Sequence, residues 1–354
     1  MMRTTVPVAH IAALDGVRGV AVMAVVMLHA GVFPYGGAGV DLFFVLSGFL
    51  ITGVLLDAKG APDVLRPFYA RRALRIFPLA FAVIAVVFLL YPAIGWVPPI
   101  PVQEQVWYWL YLSNWWVWPR STGAWLLGHF WSLAVEEQFY LVWPWLALGC
   151  SKRTLTRVCL GLVVMAPVVR LAIALASLPP SIGHTYEGFT VVRCEGLAIG
   201  ALLAIHRLDL RRWRQYGVLA FAIGTALYVP LILHGSRVAY VAGFTALAVA
   251  TGGALFCVLT VVSPRTNAAL RWSVLRWVGR VSYGLYVLHP LVIDALIRHG
   301  MRRGWPLFVV TAFVTAALAA VSWYGFERVI LRQKRHFPMP RGEDREATSK
   351  LAVA

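Results

Sequence analysis

The sequence predicts an all-α fold: a polytopic membrane helix bundle of about ten transmembrane helices, with both termini in the cytoplasm. Three observations predict it. Of 354 residues, 60% are hydrophobic and 13% charged, against about half and a quarter in a soluble domain. Ten apolar stretches are long enough to cross a bilayer. The cationic side chains are divided very unequally between the segments that join those stretches.

The stretches fall near 11–32, 38–57, 76–97, 129–149, 157–178, 188–205, 215–233, 238–262, 278–298 and 305–327. An even number puts both termini on one side. With the termini inside, the inner segments hold 24 of the 32 Lys and Arg and the outer segments five, while Arg18, Arg170 and Arg193 lie within spans. Lys and Arg collect in cytoplasmic loops, so the net charge of +17 reads as topology and calls for no nucleic-acid partner. The Arg298–Arg303 cluster is the local exception on the outer side. Residues 1–330 form the membrane domain. Residues 331–354 read as a basic, then polar cytoplasmic tail, expected to be disordered. Asp15 and Arg18 interrupt the first apolar run, and no small-residue cleavage site follows it, so this run is expected to stay in the mature protein. Cys150, Cys159, Cys194 and Cys257 lack metal-ligand spacing and read as free thiols, with no metal site expected.

The first span, LDGVRGVAVMAVVMLHAG, carries Arg18 and His29. Eleven residues of helix separate them, roughly 20° past three full turns, so one face holds both about 16 Å apart along the axis. Ionisable groups in a bilayer are costly and face a protein interior with a function. The second span reads GVDLFFVLSGFLIT. Asp41 near its outer end is expected at the depth of His29, where a carboxylate fixes an imidazole tautomer and raises its basicity. Ser47 beside Gly48 lies deeper; it can donate to a substrate, although small residues in spans more often permit close packing.

FYARRALRIFP follows the second span. Arg72 and Arg75, three apart, share a helical face. Paired guanidinium groups suit phosphates, yet taken alone the pair reads first as ordinary positive-inside charge. EQVWYWLYLSNWWVW at 104–118 reads as an aromatic belt at the outer interface or as a platform for a sugar-like acceptor. Trp115 and Trp116, with Trp131 opening the fourth span, are the acceptor-side candidates. That span, HFWSLAVEEQFYLVWP, carries Glu136 and Glu137, whose side chains diverge by about 100° around the axis. One is expected to neutralise an arginine such as Arg18 or Arg193 and the other to face a cavity; ion pairing and catalysis both remain open for them. Arg193 and Glu195 in the sixth span are each expected to pair with another helix. His289 and His129 read as structural histidines.

Taken together, Arg18 with His29, GVDLFFVLSGFLIT, RRALR, FWSLAVEEQFYLVWP and SYGLYVLHP resemble the acyltransferase 3 family of bacterial integral-membrane O-acyltransferases. The resemblance spans nearly the whole chain. It implies transfer of an acyl group, often acetyl, from cytoplasmic acyl-CoA to a hydroxyl of a glycan, glycolipid or glycosylated small molecule. It implies an essential His29 and a CoA-binding Arg72 and Arg75. Acyl-CoA is then a co-substrate, acetyl-CoA first among candidates, with no bound cofactor. The chemistry fits: His29 as base, steered by Asp41 or a glutamate, and Arg18 stabilising charge or orienting the thioester. An acyl-imidazole relay on His29 is the alternative route. Some family members carry an extracytoplasmic hydrolase-like domain; this chain is expected to use a separate partner for that step or to meet its acceptor directly. The location implied is the bacterial plasma membrane. The rival is a transporter or flippase for a lipid-linked or amphipathic substrate, against which no pair of broken helices is visible in corresponding halves.

Overall fold

The computed structural model describes residues 11–116, 124–176, 188–207, 209–210, 212–234, 237–260, 264–340 and 342. Those residues fold into helices joined by turns, and no strand occurs among them. In chain order the main helices are α1 (Ala12–His29), α2 (Ala38–Ala58), α3 (Leu65–Ala85), α4 (Val102–Trp109), α5 (Phe130–Gly149), α6 (Lys152–Leu175), α7 (Thr190–Arg193), α8 (Glu195–Ile205), α9 (Arg214–His234) and α10 (Arg237–Thr260). They continue with α11 (Pro264–Leu270), α12 (Ser273–Arg280), α13 (Ser282–Arg298) and α14 (Trp305–Ser322). α3 runs on through a wider π-helical turn at Val86–Leu90, and α14 through another at Trp323–Glu327. Such turns often mark functional sites.

Each of the ten expected stretches contains helix, and fewer than ten of them form a single described helix of full spanning length and hydropathy. Among the described residues, six helical segments are long and apolar enough to cross a membrane: Ala12–His29, Pro34–Ala58, Leu65–Ala93, Lys152–Leu175, Tyr240–Thr260 and Trp305–His336. A seventh arises if α12 and α13, bent by 74°, count as one span. The physical reasons are local. α5 carries Glu136, Glu137 and Gln138 in mid-helix, which lowers its hydropathy. α8 has 11 residues, about 16 Å of helix, half a hydrocarbon core.

α2 is the centre of the bundle. It crosses α8 so closely that the helices meet backbone to backbone. A Cβ added at Gly48 would stand 2.0 Å from the Leu197 carbonyl oxygen, and one at Gly200 2.0 Å from that of Val45. Phe44, Ile51 and Leu55 on α2 join Val22 and Val25 on α1, Ile84 on α3 and Trp143 on α5 in one continuous core. The Trp143 indole donates to the Thr52 hydroxyl at 2.8 Å, which satisfies both buried polar groups.

The expected tail at 331–354 starts inside packed structure, which corrects its boundary. Arg71 on α3 donates to the carbonyls of Lys334 and Phe337 at 3.2 and 3.0 Å, and the Gly342 amide donates to the Asp57 carbonyl. Residues 343–354 lie outside the described ones. The four cysteines are free, with Cys159 and Cys194 buried.

Candidate active site

Arg18 on α1, Arg72 and Arg75 on α3, Ser47 on α2 and Glu136 on α5 line one cavity of about 130 Å³. The sequence places Arg72 and Arg75 on one helical face; the fold turns that face inward, toward Arg18. The Arg72 guanidinium lies 4.2 Å from the centroid of Tyr140, and that of Arg75 lies 5.2 Å from Trp323. Stacked guanidinium planes keep their N–H edges free for oxyanions. Arg18 is tethered to Asp15 at 3.4 Å. Glu136 accepts from the Ser47 hydroxyl at 2.9 Å and the Tyr140 hydroxyl at 3.2 Å, within electrostatic range of Arg72 and Arg18. Ser47 thus belongs to the cavity wall, while its neighbour Gly48 makes the helix contact. Glu137 is not among the residues lining the cavity, and its Oε1 is buried without a hydrogen-bond partner among the described residues. Neither glutamate neutralises Arg193.

His29 stands at the far end of α1 in a cluster of imidazoles. Its Nδ1 lies 2.9 Å from His289 Nε2 and 3.1 Å from the Val25 carbonyl. His289, fully buried, places its Nδ1 3.1 Å from the Leu285 carbonyl. A carbonyl only accepts, so His289 Nδ1 carries its proton and Nε2 is left as an acceptor. His29 Nδ1–H then donates to it, and the His29 lone pair resides on Nε2. That tautomer suits a general base. His129 completes the cluster, 5.5 Å ring to ring from His289. Arg303 of the outer cationic cluster donates to the His29 carbonyl at 3.0 Å, a favourable place for a cation at a helix C-terminus. Among the described residues no three His, Cys, Asp or Glu side chains are placed to hold a metal ion.

Asp41 does not steer His29, contrary to the sequence expectation. It accepts two hydrogen bonds from Arg193 Nη2, at 3.1 and 3.0 Å, and both residues are buried. Arg193 is covered by Phe244 at 4.0 Å and Trp131 at 5.1 Å. Beside this pair, Arg170 grips Glu195 with two bonds of 2.7 and 3.0 Å and also reaches Thr245 and two carbonyls. The expectation that Arg193 and Glu195 each pair with another helix holds. These pairs lie at the break between α7 and α8.

The three tryptophans are engaged internally. Trp115 donates to Gln138 at 3.0 Å and stacks on Phe189 at 4.5 Å. Trp116 meets Trp107 edge to face, and Trp131 meets Phe44 likewise. Residues 117 and 118 of that aromatic segment lie outside the described ones. Sequence reasoning missed His289, Tyr286 and Ser132 as parts of the site. Their signal was present in SYGLYVLHP and FWSLAVEEQFY, where polar residues recur at helical spacing within apolar spans.

The profile of a family described as an acyltransferase domain matches residues 11–325. The chain belongs to this acyltransferase 3 family. A putative peptidoglycan O-acetyltransferase of Bacillus subtilis is 31% identical over 92% of this chain and 55% of its own length. A peptidoglycan O-acetyltransferase of Listeria monocytogenes is 31% identical over 80% of this chain and 49% of its own. A putative O-acetyltransferase of Staphylococcus aureus is 28% identical over 89% and 56%. The chain thus spans about half the length of the curated relatives it matches. No solved structure matches it.

Proposed function

We propose that this chain is a multi-pass O-acyltransferase of the bacterial plasma membrane, with ten crossings and both termini in the cytoplasm. It moves an acyl group, acetyl first, from acyl-CoA to a hydroxyl of a glycan, glycolipid or glycosylated small molecule. The observation that carries the reading is the cavity shared by Arg18, Arg72 and Arg75. Three guanidinium groups facing one small space match the phosphates of a CoA thioester. About 16 Å of α1 separate Arg18 from His29, a distance an extended pantetheine arm spans. His29 Nε2 takes the proton of the acceptor hydroxyl, with His289 holding the ring. The family and the O-acetyltransferase relatives support the acyl chemistry. Peptidoglycan, named for two of those relatives, is the first acceptor to test. A separate extracytoplasmic partner is the expected carrier where the acceptor cannot reach His29. Trp115, Trp116 and Trp131 act here by supporting the acceptor side from within.

The test is acetyl-CoA binding and slow hydrolysis by the protein in nanodiscs. Arg72→Ala/Arg75→Ala is expected to lose binding, and His29→Ala to bind and not hydrolyse. A well-folded wild type that binds neither acetyl-CoA nor longer acyl-CoAs overturns the reading and brings the transporter forward.

A further inference from the structure

The chain beyond α14 folds back as a strap over the first turns of α3. From the π-helical turn at Trp323–Glu327 it continues through Arg328–Leu331 into a 3₁₀ turn at Arg332–His336. Three contacts hold it. Arg71 Nη1 donates to the carbonyls of Lys334 and Phe337, Met339 packs against the main core, and the Gly342 amide donates to the Asp57 carbonyl at 3.0 Å. A Cβ at Gly342 would stand 2.3 Å from the Lys59 carbonyl oxygen, so the strap lies directly on the end of α2.

This strap carries a cation to other cations. Arg332 and Arg335 on the same turn are exposed, as positive-inside charge ordinarily is, but Lys334 is half-buried. It lies within electrostatic range of Arg75, Arg71 and Arg72. Among the described residues the Lys334 ammonium has no hydrogen-bond or ion-pair partner, and the guanidinium groups of Arg72 and Arg75 make none beyond their ring contacts. The nearby carboxylates are held by hydroxyls: Glu327 by Ser322 at 2.9 Å, and Glu136 by Ser47 and Tyr140. Like charges gathered in a partly buried place repel one another. Free donors on every one of three neighbouring cations point to an anion with more than one phosphate.

The cations are also ordered along the bundle. The end of α2 and the start of α3 both meet the last turns of α5, through Lys59 and Tyr69, so the chain reverses between them and α3 runs parallel to α1. Tyr283 on α13 donates to the Ile76 carbonyl beside Arg75, and His289, six residues or about 9 Å further along α13, meets His29. Arg71 and its tethered strap lie on the opposite side of Arg75 from the histidines. An acyl-CoA has a matching order: thioester, pantetheine arm, diphosphate, then a ribose bearing the 3′-phosphate.

We propose that Lys334 binds the 3′-phosphate of CoA and makes the donor site selective for the 3′-phosphorylated nucleotide. The inference rests on the acyl-CoA reading of the cavity. With the diphosphate against Arg72 and Arg75 and the pantetheine arm running toward His29, the ribose phosphate falls on the strap side. A compact ammonium with three rotatable donors suits a phosphate monoester. Arg71 is the positioning residue: it grips the strap by two carbonyls and fixes where Lys334 stands. Lys334 itself takes no part in the chemical step.

The experiment titrates CoA and 3′-dephospho-CoA into the full chain in phosphatidylcholine nanodiscs. It compares wild type, Lys334→Met, Lys334→Arg and Arg153→Met, which removes an exposed cation at the start of α6, and records each thermal midpoint. Wild type is expected to prefer CoA about tenfold or more, the ordinary worth of a charged hydrogen bond. Lys334→Met should lose that preference by weakening CoA alone, with 3′-dephospho-CoA within about threefold of wild type. Lys334→Arg should keep most of the preference, and Arg153→Met all of it. The ratio of the two constants within one variant does not depend on how much of the sample is folded, so a lowered midpoint leaves the answer readable. A Lys334→Met protein that keeps the preference, or that weakens both ligands alike, overturns the assignment and leaves the donor reading standing. Wild type that binds both ligands equally does the same. Wild type that binds neither overturns both readings.

Discussion

His289 Nε2 accepts from His29 Nδ1 at 2.9 Å, and this bond links the last turn of α1 to the middle of α13. An imidazole does here what a carboxylate does in many acid–base sites. It fixes the tautomer without placing a second negative charge in the bilayer, where charge is costly. His289→Ala is expected to lower acyl-CoA turnover by about tenfold or more, since acid–base catalysis contributes 10²–10⁴ in rate. His289→Gln, whose amide oxygen accepts from His29, should recover part of it. Equal loss in both variants at unchanged thermal midpoint would contradict the orienting role.

Glu136 is the acidic side chain among the residues lining the cavity of the three arginines. It accepts from Ser47 and Tyr140 beside the arginines. An anionic donor must enter against that charge. Glu136→Gln is therefore expected to tighten CoA binding tenfold or more, since like charges about 8 Å apart repel by about 2 kcal/mol at an effective dielectric near 20. Rising salt should shrink the difference. Isothermal titration of CoA into nanodisc protein measures both effects. Weaker binding in Glu136→Gln would show that Glu136 organises the arginines more than it opposes the ligand.

Periodicity and motif spacing made the helices legible, because apolar runs and intramembrane charges are read along one chain. Arg72 and Arg75 were legible as a pair for the same reason. Their meeting with Arg18 was not, since it depends on how α1 and α3 pack. The partner of Asp41 was misread on similar grounds. The tight connection packs Gly39 on Ala21 and Val25, about one to two turns of α1 before His29, and Asp41, two residues further in, takes the guanidinium of Arg193, which arrives from a helix 152 residues away in sequence. His289 looked structural because a lone histidine has no partner in sequence. Its meaning depends on the second histidine, 260 residues distant.

The Arg193–Asp41 pair is a stability element in this fold, and its test is a double-mutant cycle. Removing one partner of a buried pair leaves an uncompensated charge and costs about 3–5 kcal/mol. Asp41→Ala and Arg193→Met should each lower the thermal midpoint sharply. The combined variant should recover a large share, because neither charge is then stranded. Strict additivity of the two losses would show that the residues act separately.

The α2–α8 crossing is the last relationship open to a direct test. At Gly48 and Gly200 an added methyl would meet the partner helix's backbone oxygen, not the end of a flexible side chain. The backbone cannot give way locally, so the helices must separate. Gly48→Ala or Gly200→Ala is expected to cost about 1–3 kcal/mol, the usual penalty of overpacking. The consequence reaches the site. Ser47 sits next to Gly48 and holds Glu136 at 2.9 Å, so displacing α2 also shifts one wall of the donor cavity. Gly48→Ala should therefore weaken CoA binding more than Gly200→Ala does at equal loss of thermal midpoint. Ser47→Ala, which removes the Glu136 bond and leaves the crossing intact, separates the two effects. A change in CoA binding without a large drop in midpoint is expected for that variant, and the reverse pattern would place Ser47 in the packing interface alone.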